Sequence, residues 1–149
     1  EHITRPEIAL REAQRVLRPG GVAYVEVGPW FAPDGGHSLC TLDCPWGHVR
    51  LSASEFEAYL TAHRPHEAAA ATEFYRKGFQ VPRRTMAEIE GFVVEAGFRI
   101  LDWHESRHAY ADHYQFLTPE ILSDCQRLNR LVTVRDLMTS SYTILAAKA

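Results

Sequence analysis

Four residues between positions 37 and 48 form the densest cluster of reactive side chains: His37, Cys40, Cys44 and His48, spaced His-x2-Cys-x3-Cys-x3-His. Two imidazoles and two potential thiolates are a ligand set that zinc accepts. The spacing departs from the Cys-x2-Cys of zinc knuckles, and so short a loop would be strained in closing four ligands round one ion. No metal is therefore assigned, and a small metal-binding protein built on this loop stands only as the weakest of three readings. His104 and His108 are four apart, which a helix would bring together, but that region reads as a strand leaving the sheet. His63, His66, His108 and His113 read as surface or interface residues.

The elements that would hold such residues belong to one soluble domain of 149 residues, with apolar content sufficient for a useful core. A net charge of −3, from 16 basic and 19 acidic residues without a long run of either sign, gives no footprint for nucleic acid. No apolar stretch approaches a membrane span, and Glu1-His2-Ile3-Thr4 lacks the features of a signal peptide, so a cytoplasmic setting is expected. Three cysteines fit reduced thiols better than a disulfide framework.

Thr4 and Glu7 have capping-box spacing with Pro6 in the first turn, which predicts a helix start. Ala9, Leu10, Ala13, Val16 and Leu17 then recur on one face. Pro19-Gly20-Gly21 reverses the chain into Val22–Val27, a strand apolar enough to be covered on both faces. Residues 28–47 hold four of the nine glycines and two of the three tryptophans, and read as a long loop. Its Trp30, Phe31 and Trp46 either line a pocket or plug the loop onto the core. Helical spacing of Phe56, Tyr59 and Leu60, then the alanines from Ala68, predicts a helical insertion over 53–78. Thr85 and Glu88 open a helix over 86–96 that closes at Gly97. Strands follow at 98–104 and 141–148, with a helix opened by Thr118-Pro119-Glu120 between them. Residues 132–137 extend that helix or form a separate turn.

Three segments carry a family resemblance over nearly the whole of 1–149: Glu1-His2-Ile3, Arg15-Val-Leu-Arg-Pro-Gly-Gly21 and Glu95-Ala-Gly-Phe98. They resemble the C-terminal half of class I S-adenosylmethionine-dependent methyltransferases, where the fifth strand, a helix, the sixth strand and an antiparallel seventh strand complete the sheet. Gly36-His37 and Pro45-Trp46-Gly47-His48 are similar to a bacterial subset of that family, often found near surface-polysaccharide genes. The implied fold is α/β: a partial Rossmann-like sheet of three strands, the last antiparallel, with flanking helices and without the cofactor-binding half. The family's Gly-x-Gly turn has no counterpart among the nine glycines, so no cofactor-binding residue carries over. S-adenosylmethionine is thus implied by resemblance only, and the isolated chain is not expected to bind it tightly.

The resemblance places a small-molecule or saccharide-related methyl acceptor over the carboxyl end of strand 22–27, facing Glu1, His2, Glu26, Gly28, Trp30 and His37. Methyl transfer to a hydroxyl needs the acceptor oriented and deprotonated, and His37 is the candidate general base; the bland reading is that it caps or bridges its loop. The outer edge of strand 22–27 would lie open to pairing with a second copy or a separate N-terminal half. The alternative function is a non-catalytic binding or dimerisation module derived from the same fold.

Overall fold

The computed structural model describes residues 2–35, 37–77, 83–107 and 111–149. Glu1, Gly36 and His108 lie outside the described residues, as do the side chains of His37 and His113. Helix α1 (Pro6–Val16) begins at Pro6, whose missing N–H is no loss in the first turn. The expected Thr4–Glu7 capping box does not form. With Pro6 as the first helical residue, the box register falls on Arg5 and Ile8, and Glu7 instead accepts from Arg5 Nε at 3.1 Å. Gly20, at φ 70°, supplies the left-handed turn into β1 (Val22–Val27).

After β1 the chain builds a helical layer before returning to the sheet. Single turns α2 (His37–Cys40) and α3 (Gly47–Arg50) precede α4 (Ala53–His63) and α5 (Ala68–Lys77). Ser52 and Glu55 cap α4 reciprocally. Helix α6 (Met86–Glu95) starts on the expected Thr85–Glu88 box, and Gly97 at φ 89° turns it into β2 (Phe98–Ser106). A 3-10 helix (Ala111–Phe116), α7 (Pro119–Leu128) and α8 (Val134–Met138) lead to β3 (Ser141–Lys148). Residues 132–137 therefore do not extend α7, because Thr133 caps a separate helix.

The three strands form one sheet in the order β1-β3-β2, with β3 antiparallel to both neighbours. The terminal strand is thus the central one, and β1 and β2 run parallel on either side of it. A bulge at Leu101 shifts the β2 register between Ile100 and Asp102. Lys148 fastens the sheet to α1, donating from Nζ to the carbonyls of Gln14 and Leu17, each at 2.8 Å.

Helices α1 and α6 cover one sheet face, where Leu10, Met86, Ile89, Val93, Tyr142 and Ile144 pack as one core. The expectation that both faces of β1 are covered fails. No residue of β1 is fully buried, and Val22 and Tyr24 are 50% and 66% exposed because no helix among the described residues lies over their face. A second core, including Trp30, Trp46, Phe56, Tyr75, Cys125 and Leu137, fills the helical layer.

One buried carboxylate joins the layers. Asp136, 3% exposed, accepts from the Met86 N–H at 2.7 Å through Oδ1, and from the Thr133 N–H (2.9 Å) and hydroxyl (2.6 Å) through Oδ2. It satisfies donors at the start of both α6 and α8, where a negative charge also meets the positive end of each helix. Asp136→Ala is expected to lower unfolding free energy in urea by about 2–4 kcal/mol, since buried donors lose a charged acceptor. A loss below about 0.5 kcal/mol, ordinary for a surface site, would contradict that role.

Candidate functional site

The carboxyl end of β1 runs through Glu26, Val27 and Gly28 into Pro29, Trp30 and Phe31. Glu26 is exposed, Gly28 half-buried, and Trp30 and Phe31 are core residues at 1% and 2% exposure. His2 is exposed ahead of α1. These candidates do not converge on one cavity. Glu26 borders an apolar groove between α1, β1 and α6, lined by Ile3, Ala9, Leu10, Val25 and Ile89 among others, whereas Trp30 walls a separate cavity in the helical layer. His37 opens the helical turn α2, so its backbone is regular where a plain loop was expected.

The Pro45-Trp46-Gly47-His48 run locks this loop to the helical core. Trp46 occupies the left-handed region at φ 52°, a strained place for a bulky residue, held there by burial and by its indole Nε1, which donates to the Leu137 carbonyl at 3.1 Å. Gly47 has no room for a side chain: a Cβ would meet Cys44 Sγ at 2.6 Å and Leu42 Cδ1 at 2.8 Å. His48, 1% exposed, lies 2.8 Å through Nε2 from the Trp30 carbonyl. A carbonyl can only accept, so Nε2 carries a proton and donates.

The thiols sit in the same packed layer. Cys40 Sγ points at the Ala71 carbonyl, 3.9 Å away, and burial pushes its pKa up to about 12. Cys125 is likewise raised to about 12 by burial, and Cys44 is raised for the same reason. Among the described residues, no group of three or more His, Cys, Asp or Glu side chains could hold a metal ion.

The most developed polar constellation is one that sequence reasoning missed. A cavity of about 190 Å³ is walled by Trp30, Phe31, Val49 and Tyr75 and edged by Arg83 and Asn129. The Arg83 guanidinium lies over both the Trp30 and Tyr75 rings, 4.5 Å from each centroid, and Nη2 donates to the Tyr75 carbonyl at 2.7 Å. The Tyr75 hydroxyl donates to the Leu51 carbonyl at 2.6 Å, which closes that wall. These residues come from four distant stretches of chain, and no spacing pattern links them. Only the richness of residues 28–47 in large aromatics pointed to the neighbourhood.

No helix among the described residues is long and apolar enough to cross a membrane. The raised thiol pKa values give a direct check with Ellman's reagent at pH 8. Cys40 and Cys125 are expected to stay unmodified in the folded chain, with Cys44 reacting slowly, and all three are expected to react at once in denaturant. Rapid reaction of Cys40 or Cys125 in the folded chain would contradict the packing described. The chain matches no family model, no curated protein and no solved structure.

Proposed function

We propose that this chain is the acceptor-side, C-terminal portion of a Rossmann-like class I S-adenosylmethionine-dependent methyltransferase. The observation that carries the reading is the asymmetry of the sheet. β3 is paired on both edges and α1 and α6 cover one face, while β1 pairs only with β3 among the described residues and its Val22–Tyr24 face is bare. Two of the three resemblance segments also fall at matching junctions. The Arg15–Gly21 run turns α1 into β1, and the Glu95–Phe98 run turns α6 into β2.

The described residues that leave β1 do not fit S-adenosylmethionine. The turn leaving β1 is Gly28-Pro29-Trp30-Phe31, whose last three residues are buried, and proline offers no N–H, so no open glycine turn brings backbone donors to a nucleoside. In this reading the cofactor is held by another polypeptide segment, and the part left to this chain is acceptor binding, with His37 as the base that takes a proton from an acceptor hydroxyl. The groove beside β1 supports such pairing, since its lining is apolar apart from Glu26 and includes three residues of a strand that pairs only with β3 among the described residues. The same groove favours the second reading, a binding module that pairs with another copy of itself.

Photocrosslinking with radiolabelled S-adenosylmethionine separates the two. The native gene product carrying these residues, purified with its associated chains, is expected to take up label at a site outside residues 1–149. Absence of label from every species containing this chain would overturn the methyltransferase reading. Label within these residues would overturn the assignment of the cofactor site elsewhere.

A further inference from the structure

The cavity edged by Arg83 has a chemistry of its own, and it is independent of methyl transfer. An apolar cavity of about 150 Å³ accommodates benzene, and this one measures about 190 Å³. Its cationic lining group, Arg83, can only donate. Arg83 uses one N–H on the Tyr75 carbonyl and also bears on the Tyr75 hydroxyl, which leaves part of its five-donor fork for a ligand. Asn129 Oδ1 accepts from the Leu131 N–H at 3.0 Å. A backbone N–H can only donate, which fixes the amide orientation and leaves Nδ2, without a partner among the described residues, as a second donor. The Tyr75 hydroxyl and His48 Nε2 are committed to backbone carbonyls, and no acidic side chain lines the cavity.

Contact with the two rings also holds Arg83 at the cavity edge. A guanidinium is planar, and its N–H groups can give a planar anion two parallel bonds. We infer that this cavity binds a small carboxylate carried on a flat apolar or aromatic body, the carboxylate on Arg83 and Asn129 and the body against Trp30, Phe31 and Val49. A cation would meet Arg83 with no counter-charge in the lining. A neutral hydrocarbon would leave the donors unmet.

Sodium benzoate is the probe, titrated into the full chain with tryptophan fluorescence and ligand-observed NMR as readouts, alongside benzamide and inorganic phosphate. Benzoate is expected to saturate with a Kd of about 1 mM or tighter, and benzamide and phosphate to bind about tenfold more weakly or not at all. Arg83→Gln removes the charge. Asn129→Asp keeps the acceptor for Leu131 but places a carboxylate in the lining. Each is expected to weaken benzoate about tenfold or more, the size of a charge-assisted hydrogen bond. Should Arg83→Gln fail to fold, as judged by circular dichroism, Asn129→Asp decides. Failure of benzoate to saturate by about 10 mM, a regime of negligible specific affinity, would overturn the inference. So would equal binding of benzamide or phosphate, or unchanged benzoate affinity in the folded variants.

Discussion

Three hydrogen bonds to one carboxylate hold the two layers of this molecule in register. Asp136 meets the first N–H of α6 with one oxygen and the cap of α8 with the other, inside a site closed to water. Helix starts leave donors that must be met, and burial makes an unmet donor costly. Helix α6 lies on the sheet, and α8 is held from the far side by Trp46, whose indole donates to the Leu137 carbonyl. The strained backbone of Trp46 costs on the order of 1–3 kcal/mol, and its burial in the helical core offsets that. From Trp46 the constraint passes to His48, and from His48 to the Trp30 carbonyl, which sets one wall of the Arg83 cavity.

The sheet explains why the molecule is uneven. β3 is interior, with both edges hydrogen-bonded and Tyr142, Ile144 and Ala146 buried against α1 and α6. Its neighbour β1 has the composition of an interior strand and the surroundings of an edge. Tyr24 pairs with Leu145 across the uncovered face, and both side chains are exposed. Soluble proteins blunt such edges with charge, proline or a covering element, and β1 carries only Glu26. A partner strand and a covering layer would resolve this mismatch, which is the physical content of the proposed half-fold.

What was legible in the sequence was local. Thr85 with Glu88, Thr118 with Pro119, and glycines at 20 and 97 mark helix starts and turns through chemistry that acts within four residues. The Thr4–Glu7 spacing misled because Pro6 moved the register by one. The composition of β1 misled in another way: an apolar run reports what a strand is built to meet, not whether the covering layer lies in the same chain. The Arg83 cavity and the Asp136 joint were illegible because each joins residues far apart in sequence, Trp30 with Asn129 and Met86 with Asp136. None of those pairs leaves a periodic trace. The loop aromatics stood between two readings, and both hold: Trp30, Phe31 and Trp46 are buried in the core, and each also lines a cavity, Trp30 and Phe31 one and Trp46 another.

The unfinished edge of β1 is the central claim, and residue-resolved amide hydrogen exchange tests it most directly. At a dilution where the chain sediments as a monomer, amides throughout β3 should be protected, while alternate amides of β1, those directed away from β3, should exchange as freely as in a loop. Uniform protection of every β1 amide under those conditions would mean that the edge is already paired within this chain, and would contradict the account.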